Sequence, residues 1–253
     1  MIPEFLEKFR AQIEKYRLET VRIFAHPNKN GQKLNLRQSK FLGQPYIPQS
    51  HSYPTCSDGT PMIMLAQINF SEIPKLDDYP QSGILQFFVH PTNWYNMEKK
   101  DYKIIFHELD NEEPLSDFSF LTDKLYKESP IYCEHTLIFN KETEFGGCED
   151  FRFQIDFDGL DYFDFQETLP KEQQEQMDNL FYVIGHKIGG YAYFTQSDPR
   201  AYNKESKQDV LLLQIDTDDE IMFGDCGVAN IFINIDDLKN RKFENAYFNW
   251  DCH

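Results

Sequence analysis

The sequence is short of positive charge. Its 253 residues include 42 Asp and Glu but only 25 Lys and Arg, which gives a formal net charge of -17. An acidic surface repels a phosphate backbone, so nonspecific binding to nucleic acid is disfavoured. The same charge would attract a basic protein, although its commonest consequence is solubility. We therefore predict no nucleic-acid partner and keep a basic protein as a candidate partner.

Long apolar runs and an export signal are also lacking. No stretch of 18 apolar residues occurs, so we predict no membrane span and no membrane partner. The N-terminus lacks the apolar core of a signal peptide. Five cysteines are an odd number without framework spacing, which favours free thiols in a reducing compartment. We expect a cytoplasmic protein, and a monomer is compatible with these features.

Motifs that bind phosphate or metal are missing. The chain has no Gly-rich phosphate loop. The run Asp216–Glu220 begins like a calcium loop, but Ile221 stands where glycine is needed and Gly227 where glutamate is needed. Cysteine and histidine do not show zinc-site spacing. We predict no cofactor and no metal, and the catalytic residues stay unknown, with Cys226 the best thiol candidate.

The chain does contain an internal repeat. Three blocks recur in the same order, the first two at an offset of 147 positions and the third at 144. The matched pairs are Lys40–Ser50 with Lys187–Ser197, Met64–Asn69 with Leu211–Asp216, and Gly83–Val89 with Gly227–Ile233. Such self-similarity indicates a duplication of one supersecondary unit.

The predicted fold class is α+β, mainly antiparallel sheet, with two related halves that are each preceded by a helix. Apolar spacing predicts these helices over 3–19 and 171–186. Further strands are predicted at 20–25, 62–68, 83–89, 102–108, 131–139, 151–157 and 246–250. We expect one compact domain over 1–253, made of a first repeat (1–109), an inserted or connecting segment (110–170) and a second repeat (171–253).

Several long runs resemble one protein family. They are Lys187–Arg200, Leu212–Asp216, Phe223–Asn230 and Asn249–Cys252, together with Gln67–Phe70 and Gly83–Phe88. These runs resemble the YwqG-like family of bacterial proteins over nearly the whole chain. Ala192 stands where that family usually has proline, and Phe223 where it often has tryptophan. The resemblance implies a bacterial intracellular α+β protein but no reaction, because the function of the family is unknown.

Polar residues inside apolar strands give the best functional clue. Gln67 and Gln214 occupy equivalent positions, and a buried amide is costly unless it is hydrogen-bonded. The pair indicates either bonds to backbone across the halves or the polar floor of a cleft between them. The ligand-binding candidates are Tyr46, Gln49, Gln67, Tyr193, Gln196, Arg200, Gln214 and Asp225. Arg200 would be the cation near this cleft and Asp225 its counter-charge.

Three functional hypotheses stay open. The first is a non-catalytic cytosolic binding protein, for example an immunity- or inhibitor-type protein that meets a basic partner through its acidic surface. The second is a small-molecule binder that uses a cleft between the duplicated halves. The third is an enzyme whose site is assembled only by the tertiary structure, and it is the least favoured because the sequence contains no catalytic motif.

Overall fold

The computed structural model describes residues 2–29, 31–109 and 112–253, so Asp110 and Asn111, where the predicted connecting segment begins, lie outside the described residues. In this part of the chain ten strands form one antiparallel sheet. The strands are β1 (Leu18–Pro27), β2 (Lys40–Phe41), β3 (Ile63–Asn69), β4 (Ile84–Val89), β5 (Tyr102–His107), β6 (His135–Glu144), β7 (Lys187–Gly189), β8 (Asp209–Ile215), β9 (Val228–Asn234) and β10 (Tyr247–Asp251).

The strand order places the two predicted repeats on either side of a central pair. The order is β10-β9-β8-β7-β1-β6-β2-β3-β4-β5. Opposite ends of the sheet curl towards each other, because the rings of Phe87 and Phe248 lie 4.9 Å apart and those of Phe106 and Phe243 stack at 4.4 Å. The sheet is therefore nearly barrel-shaped, and the protein is mainly β.

The helices are shorter than the apolar spacing predicts. In the predicted helix 3–19, α1 (Arg10–Ile13) lies between two 3₁₀ segments, and the helical run ends at Tyr16 because Arg17 is extended. The predicted helix 171–186 ends at Phe181 because Tyr182 is extended. This second predicted helix is α3 (Lys171–Phe181). The remaining α-helices are α2 (Tyr162–Glu167) and α4 (Ile235–Lys239). The 3₁₀ segments are Glu4–Phe9, Glu14–Tyr16, Phe70–Glu72, Asp123–Tyr126, Pro199–Ala201, Lys204–Gln208 and Phe243–Asn245. Among the described residues, no helix combines the length and apolarity of a membrane span.

The connecting segment departs most from the sequence prediction. The strand predicted at 131–139 is β6, displaced towards the C-terminus, and it pairs with β1 along its whole length. The strand predicted at 151–157 is wrong, because these residues form turns and loop. Their aromatic side chains pack on helices instead: Phe157 lies 5.0 Å from Phe9, and Phe153 lies 4.9 Å from Phe181.

Both faces of the outer strands are covered. The inner face of β3, β4, β8 and β9 carries the apolar core, and the outer face carries both apolar and polar side chains. β3 and β8 each contain a register shift, between Met64 and Ala66 and between Leu211 and Leu213, which are again 147 positions apart. A bulge changes which side chains face outwards. It places Gln67 and Gln214 on the outer face of their strands.

Lys40 is an amine enclosed by the fold. Its side chain is fully buried, and Nζ donates to the carbonyl oxygens of Asn35 (2.6 Å) and Gln44 (2.8 Å). Burial lowers the pKa of Lys40 to about 8, although the charges of Glu134 and Glu72 oppose the shift. Lys187, at the equivalent position, is also fully buried, and it bonds to Glu144 at 2.7 Å.

Lys40 should make stability depend on pH in the alkaline range. Because its pKa falls from about 10.4 in the unfolded chain to about 8, the unfolded state binds more protons between these values. The free energy of unfolding should therefore rise with pH in that window, by roughly 3 kcal/mol at about 1.4 kcal/mol per pKa unit. Denaturant titrations should show that Lys40→Met loses this rise and that Lys33→Met, at an exposed lysine, keeps it. An equal pH dependence in all three proteins would contradict the assignment.

Candidate functional site

Two irregular segments lie on the outer face of the sheet, and a buried glutamine holds the first. In the first half Gln67 Oε1 accepts from the backbone N–H of Tyr46 (2.8 Å) and from Gln86 Nε2 (2.8 Å). Gln67 Nε2 donates to the carbonyl oxygens of Leu36 (2.7 Å) and Gln38 (2.8 Å). The amide thus makes four hydrogen bonds, which is its full capacity.

The second half repeats this arrangement. Gln214 Oε1 accepts from the backbone N–H of Tyr193 (2.9 Å), and its Nε2 donates to the carbonyl oxygens of Val183 (3.1 Å) and Gly185 (2.8 Å). Every backbone partner of Gln214 lies 147 positions after a partner of Gln67. The bonds therefore run within each half and not across the halves. These bonds occupy the oxygen and the nitrogen of both side-chain amides, so neither amide forms the open floor of a cleft.

The neighbouring strands carry a second polar row, and here the halves differ. In the first half Gln86 Nε2 donates to the Tyr46 carbonyl (2.6 Å), and Gln86 Oε1 lies 3.1 Å from His107 Nε2. In the second half Asn230 Nδ2 donates to the Tyr193 carbonyl (2.8 Å), but Asn230 Oδ1 is buried without a partner. Asp251, paired with Val228, stands where His107 is paired with Ile84. In the second half the carboxyl of Asp251 thus stands where the His107 imidazole contacts the Gln86 amide in the first half.

Asp251 leaves a second oxygen without a donor. Its Oδ2 accepts from the backbone N–H groups of Thr195 (3.0 Å) and Gln196 (2.8 Å). Its Oδ1 and Thr195 Oγ1 are buried without another partner, and the Thr195 hydroxyl, which lies beside the carboxyl, is a donor within reach of it. Buried unpaired polar atoms usually cost about 1–3 kcal/mol each. Asn230 Oδ1 and Asp251 Oδ1 can only accept, so together they mark a position that is short of hydrogen-bond donors.

Further negative charge adjoins these atoms. Burial, and then the charge of Asp251, raise the pKa of the half-buried Glu149. Burial also raises the pKa of Asp251, and burial followed by the charges of Asp216, Glu149 and Asp251 raises that of Tyr193. None of the ion pairs in residues 2–29, 31–109 and 112–253 involves Glu149 or Asp251. We call the set Glu149, Thr195, Asn230 and Asp251 the acceptor site.

The chemistry of the acceptor site is that of a binding position. A cation with N–H donors would satisfy its oxygens and relieve the repulsion between its carboxyls. The adjacent thiol is not activated, because burial and then the charges of Glu149 and Asp178 raise the pKa of Cys148. The site therefore favours holding a donor over attacking a substrate.

The remaining predicted residues take several positions. Tyr46 is buried beside Gln67, and Tyr193 and Gln196 adjoin the acceptor site. Gln49 is exposed on the first half, and Asp225 is exposed, with its carbonyl accepting from the backbone N–H of His253 (3.1 Å).

Arg200 is enclosed by acids. Its side chain is 1% exposed, and it bonds to Asp198 (2.7 Å), Asp150 (2.8 Å) and the carbonyl of Asp209 (3.0 Å). Asp150 also accepts from the backbone N–H of Ala192 (3.0 Å). These bonds tie the connecting segment to the second half. Arg200 is thus committed to internal partners rather than directed at a ligand.

A separate cleft lies between the two halves. It has a volume of about 320 Å³. The first half lines it with residues 17–19 and 76–79, and the connecting segment lines it with Arg152. The second half lines it with Gly190, Val210 and Ile235. None of the eight candidates chosen from the sequence lines it. A crevice between the halves is therefore present, but the residues that line it are not the predicted ligand-binding candidates.

The residues of the acceptor site were not among the sequence candidates. Asn230 was nevertheless detectable, because it is a polar residue inside an apolar strand and matches Gln86 in the repeat. Asp251, Thr195 and Glu149 carry no such local signal. Among the described residues, no group of three or more His, Cys, Asp and Glu side chains could hold a metal ion. Buried His135 has an unpartnered Nδ1 but belongs to no such group.

Comparison with known proteins gives one match. The family model described as a domain of unknown function, DUF1963, matches residues 39–252. The matched range begins just before β2 and ends after β10, so it includes Thr195, Asn230 and Asp251. No curated protein matches the chain.

The glutamine bonds predict a large loss of stability on substitution. Gln67→Leu and Gln214→Leu keep the approximate size of the side chain but leave buried backbone groups unpaired, so each should lower the free energy of unfolding by roughly 3 kcal/mol or more. Urea titrations followed by circular dichroism would measure the change. Gln176→Leu, on the exposed side of α3, should stay within about 0.5 kcal/mol. Similar small effects in all three variants would show that the two buried amides do not hold the segments.

Proposed function

The chain belongs to the DUF1963 family, a family of unknown function, and from this premise we propose that it is a non-catalytic binding protein for a positively charged protein partner. The observation that carries the proposal is the acceptor site. Two buried acceptor oxygens, Asn230 Oδ1 and Asp251 Oδ1, are short of donors there, and the charge of Asp251 raises the pKa of Glu149. A partner that supplies a cationic donor would satisfy both oxygens at once.

The charge of the whole chain supports the same partner. A net charge of -17 creates a negative potential that attracts a basic protein and accelerates their encounter. Exposed Gln196 bonds to Asp251 through its backbone N–H, and exposed Asp225 bonds to His253, two residues beyond Asp251. An immunity- or inhibitor-type role is one version of this function, because such proteins bind a partner without chemistry.

The thiols support a non-catalytic role. Burial is the main cause that raises the pKa of Cys56, Cys133 and Cys148. A raised pKa keeps a thiol protonated and weakens it as a nucleophile. All five cysteines are free, which supports a cytoplasmic location.

We also infer that the two halves arose by duplication. Supporting this are the equal spacing of the Gln67 and Gln214 partners, the bulges at equivalent positions, and the mirrored strand order about β1 and β6. The acceptor site would then be a derived feature, since Asn230 and Asp251 replace Gln86 and His107. The quoted sequence runs support the finer placement in the YwqG-like family.

The cleft between the halves favours a second candidate function, the binding of a small zwitterionic molecule. Asp77 and Asp78 provide negative charge there, and the guanidinium of Arg152 is 25% exposed while Asp150 holds it at 2.7 Å. Leu76, Val210 and Ile235 provide an apolar wall. A ligand with an ammonium group, a carboxylate and an apolar body would match these walls.

The second candidate is tested by a thermal-shift panel of free amino acids. We expect one class of amino acid to raise the melting temperature of the wild-type protein, by several degrees at about 100 times its Kd. Val210→Trp should fill the cleft and abolish the shift. A shift that survives Val210→Trp would place the ligand elsewhere, and no shift in the wild-type protein would reject this candidate.

The main proposal is tested with basic peptides. Fluorescence anisotropy at about 50 mM salt should show binding of N-acetylated octalysine, but not of octaglutamate, with an affinity that falls as salt rises. The double variant Glu149→Gln and Asp225→Asn should weaken octalysine binding by about tenfold, because it removes two charges at or beside the acceptor site.

A matched control removes the same charge elsewhere. Glu172→Gln with Glu175→Gln, both exposed on α3, should change the affinity by less than about twofold. Equal losses in the two double variants would mean that the peptide senses only net charge. No octalysine binding at low salt would reject the proposed function.

A further inference from the structure

We infer that the acceptor site binds the primary ammonium group of a lysine side chain, an inference that rests on the proposed function and names the group that the partner presents. The donor-seeking atoms are Asn230 Oδ1, Thr195 Oγ1 and Asp251 Oδ1, all buried and unpartnered. An ammonium carries three N–H donors around one point charge. The Thr195 hydroxyl can itself donate to the Asp251 carboxyl, and a lysine supplies the further donors for Asn230 Oδ1, Asp251 Oδ1 and the lone pairs of Thr195 Oγ1.

The three residues meet at one short stretch of backbone, residues 193–196. Asn230 binds the carbonyl of Tyr193 at 2.8 Å, and Asp251 binds the N–H of Thr195 at 3.0 Å. The Thr195 hydroxyl lies beside the Asp251 carboxyl. Asn230 is fully buried, so its free oxygen cannot be satisfied by open solvent.

The equivalent position in the first half shows which hydrogen bond is missing from the acceptor site. There Gln86 Oε1, which corresponds to the free oxygen of Asn230, lies 3.1 Å from the His107 ring nitrogen. The imidazole can supply the N–H that this oxygen needs. In the second half Asp251 replaces the imidazole, so two acceptors meet where a donor and an acceptor meet in the first half. An external N–H donor restores the missing bond.

A guanidinium fits less well. Its planar fork prefers two parallel oxygens of one carboxylate. Asp251 offers only Oδ1, because Oδ2 already accepts from the N–H groups of Thr195 and Gln196 (3.0 and 2.8 Å). The acceptors come from three different side chains, which suits a compact point charge. Glu149 lies close enough for Asp251 to influence its ionisation, so it adds a second charge for the cation.

Entry to the site requires a small movement. The three oxygens are shielded from solvent in the free protein. The exposed Gln196 adjoins Asp251, and its Nε2 bonds to the Cys252 carbonyl at 2.7 Å. We expect Gln196 to swing away when a lysine enters, which breaks only this one exposed side-chain bond.

The test uses small probes and nuclear magnetic resonance. The ¹⁵N–¹H spectrum of the full chain is recorded during titration with n-butylammonium, n-butylguanidinium or potassium chloride. We expect saturable shifts of Thr195, Gln196 and Asn230 with butylammonium, and an affinity at least about tenfold lower for butylguanidinium and for potassium. Such a preference corresponds to one charge-assisted hydrogen bond.

Two variants localise the binding. Thr195→Val removes the hydroxyl beside the Asp251 carboxyl, so it should weaken butylammonium binding about tenfold, and an unchanged ¹⁵N–¹H spectrum away from the site would show that the fold is kept. Asp251→Asn should abolish binding, because its own amide can donate to Asn230 Oδ1 and fill the missing bond. Ser197→Val, at an exposed position just beyond Gln196, serves as the matched control and should bind like the wild-type protein.

The outcomes separate the two claims. Octalysine binding without selective butylammonium binding would overturn this inference and leave the proposed function standing. Equal affinity for potassium or butylguanidinium would also overturn it, because the site would then be a general cation site. If neither octalysine nor butylammonium binds, both claims fail.

Discussion

The structure depends on the need to pair buried backbone groups outside regular secondary structure. The segments that flank β2 and β7 on both sides are irregular, and several of their N–H and C=O groups have no strand partner. Gln67 and Gln214 pair them, each with hydrogen bonds to three backbone groups. Without those bonds several buried backbone N–H and C=O groups of the irregular segments would be unpaired. The resulting loss in the free energy of unfolding would be a sizeable part of the total for a typical domain.

The same requirement explains why the two halves differ in chemistry. In the first half Gln86 and His107 complete the polar row, so it is internally satisfied. In the second half Asn230 and Asp251 also bond to the backbone, but Asn230 Oδ1 is left without a donor, and the neighbouring Thr195 hydroxyl is the donor nearest the remaining oxygen of Asp251. Folding tolerates such a surplus only where the rest of the structure is stable enough to compensate for it. A surplus of buried acceptors in one half, beside Glu149, is the physical basis of the proposed binding function.

Part of this could be predicted from the sequence. The repeat predicted the polar pair Gln67 and Gln214 and the apolar strands around them, because regular alternation and offset are local properties. The partners of these amides were not predictable in the same way: Gln67 bonds to backbone 21 to 31 residues away, and Glu149 lies about 100 residues before Asp251 in the chain. The strand predicted at 151–157 failed because its aromatic residues pack on the helices around Phe9 and Phe181, a tertiary choice that a short pattern does not contain.

The most direct test of the acceptor surplus is the pKa of the Asp251 carboxyl, measured by carbon-13 NMR titration in the free protein and with octalysine bound. In the free protein the account predicts a value above the ordinary aspartate pKa of about 3.9, because burial opposes ionisation more strongly than the hydrogen bonds from Gln196 and Thr195 favour it. It predicts that the value falls when the peptide binds, since a neighbouring cation favours the ionised form. A pKa at or below the ordinary value in the free protein would mean that the carboxyl is already satisfied, and it would contradict the account.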